Sequence, residues 1–285
     1  MTWQPTSFQR FERSHSTSVG TARIITDAGP AYIKPLGNRS GPHVLACEWV
    51  GSQLARWFGL PIPDFALMQV DAGVDEIPLG GRKKAASGPA FVSRAMPGAH
   101  TWGGSADELQ AIVNPEAIPR LVVFDTWTLN ADRYPPDLET RKPNWDNVLL
   151  CSEAEEPGRF RLFAIDHTHC FTGGGDLTRH VAGIRRAKDE RVYGLFPPFQ
   201  RYITKADVER AVHKLGEVQQ DSVRSIVSTI PDEWEVAREA RDALSDLITQ
   251  RAAFVAGRIG QSLAPFYPQK QRELQWKKEE TDEPH

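Results

Sequence analysis

Apolar positions recur with two different periods along this chain. In the first third the period is two. "RIITD" (23–27) and "AYIKPL" (31–36) are short β-prone runs on either side of Ala28-Gly29-Pro30, whose turn chemistry predicts a hairpin. "FALMQV" (65–70) and "AFVSRA" (90–95) add two strands around a polar loop from Asp71 to Gly88, so a small antiparallel sheet is expected. Between them "HVLACEWVGSQLARWFG" (43–59) switches to the helical period. Val44, Cys47, Val50, Leu54, Ala55 and Phe58 share one stripe, and Gly59 with Pro61 stops the helix. Glu48 falls at the border of that stripe, which holds an acid beside the buried face.

From Ser105 onward the helical period dominates. Ser105 with Glu108 reads as a capping box, and "RLVVFDTWTLN" (120–130) is apolar enough to predict a central buried helix. "NVLLC" (147–151) and "RLFAID" (161–166) interrupt the helices as two short strands flanking an acidic loop, and a polar glycine-containing segment follows from Thr172 to Asp189. Thr204 with Asp207 caps a further helix, and "REARDALSDLITQRAAFVAGRI" (238–259) is strongly helical. After Pro265 the chain turns charged and proline-containing, which reads as a disordered tail.

Composition narrows the class. The chain has 285 residues, 40% hydrophobic and 25% charged, which suits a folded protein of two lobes or of one domain with extensions. A net charge of -3 offers no general electrostatic reason for nucleic-acid binding. Cys47, Cys151 and Cys170 are odd in number with no C-x-x-C pair, so a reducing cytoplasm is expected rather than a disulfide framework or zinc ribbon. No apolar run approaches the roughly 18 residues of a membrane span, nor does the N-terminus carry a signal-peptide core.

Polar residues that resist a purely structural reading line up in chain order: Lys34 in a strand, Glu48 on the next helix, Asp132 and Asn147 around a loop, and Asp166 ending a strand. Taken singly, each has a bland role. Lys34 suits a solvent-facing strand, Glu48 a helix surface, and Asp132, Asn147 and Asp166 suit turns and caps. As an ordered set they match phosphoryl transfer from ATP. That chemistry needs a lysine on the phosphates held by a helix glutamate, an aspartate orienting the attacking hydroxyl, and an asparagine with a second aspartate on magnesium.

The stretches "AYIKPLGN", "EWVGSQLARWFGLPIPDFALMQV", "FDTWTLNADR", "NVLL", "FAIDH" and "IPDEW" resemble HipA-like kinases, a bacterial branch of the protein-kinase-like fold related to phosphatidylinositol kinases. The resemblance runs from about 23 to about 260. It implies an α+β, bilobal fold: residues 1–96 as a small antiparallel-sheet lobe with one helix and a hinge, 97–264 as a mainly helical lobe, and 265–285 as the tail. It also implies Lys34 and Glu48 as the phosphate-binding pair, Ala95 and Met96 facing the adenine of ATP, Asp132 as the catalytic aspartate, and Asn147 with Asp166 as magnesium ligands. A Ser/Thr hydroxyl of a protein is the implied acceptor, and an antitoxin-type protein is an implied partner. A lipid or small-molecule acceptor, or an inactive nucleotide-binding scaffold, stays open.

Several positions depart from the family pattern. Asn147 follows Asp132 by 15 residues where the family has only a few, so Tyr134–Asp146 reads as an insertion and Asn144 is a second candidate ligand. Tyr134 and "IDH" replace more usual residues, and "SHSTSVGTAR" (14–23) supplies only Gly20 where a glycine-rich loop is expected. Ser16 and Ser18 in that loop are candidate autophosphorylation sites by the same resemblance. His167 and His169 have no further histidine or cysteine cluster to complete a zinc site.

Overall fold

The computed structural model describes residues 3–15, 17, 19–80 and 83–268. Its N-terminal part is a five-stranded antiparallel sheet. The strands are β1 (Phe8–Ser14), β2 (Ala22–Thr26), β3 (Gly29–Lys34), β4 (Phe65–Val70) and β5 (Gly88–Arg94), in the order β1-β2-β3-β5-β4. Ala22, Ile24, Ala31, Ile33, Met68, Val70, Ala90 and Val92 bury one face of this sheet. Ile77, Leu79 and Ala85 fold the 71–88 loop onto the same small core.

Two details differ from the expectation. β1 was not foreseen because "FQRFERS" is mostly exposed and carries no apolar alternation; it is a charged edge strand, a composition that discourages further strand pairing. The hairpin turn is Asp27-Ala28, since Thr26 pairs with Gly29 and Pro30 already lies in β3. Ser16 and Ser18 lie outside the described residues, as do positions 269–285 of the tail.

Helix α1 (His43–Trp57) crosses behind the sheet, and its predicted stripe is buried throughout. Leu45 and Ala46 are buried too, because the helix is covered on a second side. There Trp49 Nε1 and Gln53 Nε2 both donate to Thr229 Oγ1 at 2.8 Å.

The C-terminal part starts with β6 (Ala99–Thr101), α2 (Ala106–Gln110), whose Glu108 N–H donates to the Ser105 hydroxyl, and α3 (Ala117–Thr128). Only Arg120 of α3 escapes burial, and its enclosed Leu, Val and Phe side chains each contribute about 1.5–3 kcal/mol of hydrophobic stabilisation. β7 (Val148–Ser152) and β8 (Phe160–Ala164) complete a three-stranded sheet in the order β6-β7-β8. The short α4 (Ile184–Ala187) precedes α5 (Lys205–Gly216), α6 (Gln220–Ser228), α7 (Arg238–Ala256) and α8 (Ile259–Leu263). Trp127 Nε1 locks α3 to α7 through the Ile248 carbonyl at 2.9 Å, and Trp234 Nε1 reaches back to the Pro89 carbonyl of β5 at 2.9 Å.

The packed body continues past the expected tail boundary. Pro265 sits in a helical turn, Ala264–Phe266, and Tyr267 is only 2% exposed with its hydroxyl on the Gly260 carbonyl. Among the described residues no helix is long and apolar enough to cross a membrane.

Candidate active site

Helix α3 ends at Leu129, which takes a left-handed conformation (φ 57°) while the Asn130 N–H caps the Asp125 carbonyl at 2.9 Å. This stop turns residues 130–133 out of the core. Pairing does the same for two later residues. Val148 opposes Ala164 across β7 and β8, so Asn147 and Ile165 meet just beyond the ladder, with Ile165 N–H on the Asn147 carbonyl at 3.2 Å. Asp166 follows at once, itself left-handed (φ 60°), a conformation that costs a non-glycine residue about 1–3 kcal/mol and is tolerated mainly at functional positions.

Lys34, at the end of β3, reaches two carboxylates. Its Nζ lies 2.9 Å from Glu48 Oε2 and 3.1 Å from Asp166 Oδ1. Glu48 Oε2 also accepts the His167 N–H at 2.8 Å, so one oxygen joins β3, α1 and the segment after β8. Burial works to depress the Lys34 amine, but the charges of Asp166 and Glu48 prevail and raise it to about 12. Burial pushes the Glu48 carboxyl above its ordinary range against the pull of Lys34. It also opposes ionisation of Asp166, yet Lys34 and the Thr168 hydroxyl hold that carboxyl well below the usual range.

Asp132 forms the second half of the site. Its Oδ2 accepts Asn147 Nδ2 at 2.8 Å and Asn144 Nδ2 at 3.3 Å, and His169 Nδ1 lies 3.7 Å away. Thr168 and His169 connect the halves: the Thr168 hydroxyl bonds Asp166 Oδ1 at 2.5 Å and approaches His169 Nδ1 at 3.2 Å. The two histidines of "DHTH" therefore diverge. His167 is buried with its Nδ1 3.3 Å from Ser52 Oγ and its ring edge-on to Phe124, while His169 faces Asp132.

The sequence reading passed over the residue that holds this loop together. Arg133 is fully buried and donates to the carbonyls of Asn147 (3.2 Å) and Ile165 (2.7 Å) and to Asp125 Oδ1 (2.6 Å). One guanidinium thus fixes the backbone beside both Asn147 and Asp166. Burial lifts the Asp125 carboxyl to about 6 despite its partner Arg133. The signal was available in "FDTWTLNADR": an acid inside an all-apolar helix requires a buried cation nearby.

The insertion is ordered by aromatic packing. Trp145 packs at a tilt against Phe196 at 4.6 Å and meets Trp102 edge-on at 5.3 Å, and Tyr134 packs on Phe196 at 5.0 Å. These contacts return the chain so that Asn144 and Asn147 both reach Asp132. After β5, in the segment expected to form the hinge, Ala95 N–H donates to the Pro30 carbonyl at 3.0 Å and the Met96 carbonyl accepts from Ala99 N–H at 3.3 Å. An open groove of about 660 Å³ beside Trp57, Arg120 and Lys214 lies away from all of these residues.

A family model described as HipA-like kinase matches residues 26–262. The fold is similar to that of the crystal structure of a Helicobacter pylori proinflammatory kinase, CtkA. The TM-score is 0.56 at 13% identity, covering 89% of this chain and 98% of that one. A solved structure of WaaP in complex with acyl carrier protein aligns at TM-score 0.37 and 15% identity, over 83% of this chain and 88% of that one, too distant to carry an argument. No curated protein sequence matches significantly. With its five-stranded antiparallel sheet, its helical C-terminal part and a family match over most of its length, this chain belongs to the HipA-like kinases.

Proposed function

We propose that this kinase transfers the γ-phosphate of ATP, with magnesium, to the hydroxyl of a Ser or Thr side chain on a protein, in the cytoplasm. The observation that carries the reading is the contact of one buried lysine with both Glu48 and Asp166, which brings a phosphate-binding cation beside a metal-binding carboxylate. We place the lobe boundary at Met96, where the Ala95 carbonyl and Met96 N–H have no backbone hydrogen bond among the described residues and are offered to an adenine edge.

The donor set fits a hard cation. Asn147 anchors its amide nitrogen on Asp132, which turns its Oδ1 away, and Asp166 engages Lys34 and Thr168 through Oδ1, which leaves Oδ2. Two such oxygens suit magnesium, which keeps several waters and the substrate phosphates as its other ligands. When bound, the ion neutralises charge on the phosphate oxygens. Lys34 adds a fixed positive charge, held in place by Glu48. Asp132 orients the acceptor hydroxyl and takes its proton. The protein supplies position and charge rather than a covalent intermediate.

The test incubates the full chain with magnesium and γ-labelled ATP, alone and with candidate protein acceptors, beside Asp132→Ala and Asp166→Ala. Labelled Ser or Thr in the product, lost in both variants, is the expected result. Nucleotide binding with no phosphate transfer in any arm would instead mark an inactive scaffold. Label appearing only on lipid or a small alcohol would change the acceptor class. Co-purification asks separately for an antitoxin-type partner.

A further inference from the structure

Asp132 has two carboxylate oxygens with different surroundings. Oδ2 is filled by the amides of Asn147 and Asn144. Oδ1 faces Arg141, whose Nη1 stands 3.8 Å away, beyond hydrogen-bond length. Arg141 belongs to the insertion between Tyr134 and Asp146. Its other nitrogen, Nη2, is anchored on the Gly173 carbonyl at 2.9 Å, which aims the guanidinium at Asp132. Nη1 is shielded from solvent and has no hydrogen-bond partner among the described residues. Leaving a charged donor unsatisfied is costlier than leaving a neutral one, so this nitrogen is held ready for a ligand.

We propose that Arg141 is a catalytic residue that contacts the transferring phosphoryl group, an arginine supplied in cis by the catalytic-loop insertion. This rests on the phosphotransfer reading above. The acceptor oxygen approaches Asp132 Oδ1, the one oxygen not tied up by amides, and gives that oxygen its proton. As the new O–P bond forms, the bond from the γ-phosphorus to the β,γ-bridging oxygen breaks, and its electron pair leaves with ADP. Arg141 Nη1, on the same side of Asp132, donates to a non-bridging oxygen of the moving phosphoryl group. A planar guanidinium suits phosphoryl oxygens better than an ammonium does, and charge spreads over those oxygens in a loose transition state.

The full chain is assayed for ADP release from Mg·ATP, comparing wild type with Arg141→Lys, Arg141→Gln and Asp132→Ala, each checked for an unchanged melting temperature. Expected is a loss in kcat of about 100- to 1,000-fold for Arg141→Gln with KM for ATP within about threefold, a partial loss for Arg141→Lys, and recovery of Arg141→Gln by millimolar guanidinium. Calorimetry adds an independent readout: Arg141→Gln weakens binding of Mg·ADP with aluminium fluoride but not of Mg·ATP analogue. Unchanged kcat in Arg141→Gln while Asp132→Ala is dead overturns the inference and leaves the kinase reading intact. A raised kcat would mean that Arg141 restrains Asp132 rather than assists it, and equal weakening of both ligands would make it a structural clamp. Either sinks the proposal. Wild type that neither binds Mg·ATP nor releases ADP sinks both readings together.

Discussion

Asn147 Nδ2 donates to Asp132 Oδ2 at 2.8 Å across a 15-residue separation. Asn144 reaches the same oxygen at 3.3 Å, but it precedes the helical turn Trp145–Asn147 and is the more exposed of the two. Asn147 is 4% exposed and its backbone carbonyl is held by Arg133, so its amide has the better-defined direction. Asn147→Ala is expected to raise the magnesium concentration for half-maximal turnover by about 10- to 100-fold, against less than about threefold for Asn144→Ala. Magnesium titrations of ADP release check this. Equal shifts would assign the ligand wrongly.

Replacing Lys34 by Met leaves Glu48 and Asp166 in one buried site without their cation, and such a deletion costs about 3–5 kcal/mol. The loss depends on pH. The depressed Asp166 carboxyl contributes stability that is present above its unfolded value of 3.8 and is lost as pH falls through the folded value. Urea unfolding should therefore show the gap between wild type and Lys34→Met narrowing as the solution is acidified below about pH 4. A gap constant down to pH 2 would show that the lysine stabilises through packing alone.

Asp125 responds in the opposite sense. Its folded value of about 6 lies above the ordinary 3.8, so the folded state holds the proton more tightly than the unfolded chain does. Stability from this group is greatest below the ordinary value and declines as pH rises to about 6, by on the order of 3 kcal/mol. Asp125→Asn removes that slope. Denaturation curves at pH 4.5 and 6.5 should show the variant gaining relative to wild type, and a parallel dependence would place the titration elsewhere.

Arg133→Lys keeps the charge beside Asp125 but loses the fork that serves the Asn147 and Ile165 carbonyls. The Ile165 carbonyl then lacks its donor while the Asn147 carbonyl keeps the Ile165 N–H, so the change should cost about 1–3 kcal/mol, or roughly 2–10 °C in melting temperature for a chain of this size. Turnover should fall further than stability alone explains, because Asn147 and Asp166 both lose their backbone anchor. Thermal melts and kcat on the same samples separate the two effects, and a stable variant with full activity would remove Arg133 from its positioning role.

Periodicity alone determined much of this protein. The alternation in 22–26 and the stripe through Val44, Val50 and Leu54 demand a strand and a helix wherever the chain folds, because each element has an apolar face to cover. The order Lys34, Glu48, Asp132, Asn147, Asp166 was equally visible, since residue type and spacing suffice to match a chemical requirement. Tertiary structure decided the rest. β1 shows no regular apolar alternation because two register shifts against β2 break it; its backbone bonds to β2 and the packing of Phe8 and Phe11 on the small core hold it in place. Arg141 reads as an ordinary polar residue, and His169 as half of an incomplete metal pair, until aromatic contacts around Trp145 fold the insertion back and the β7–β8 register sets Asn147 beside Ile165. A partner's identity is a long-range property. The acid inside the apolar helix announces that some cation must be buried with Asp125, but which guanidinium answers it and which one faces Asp132 depends on how separate segments pack.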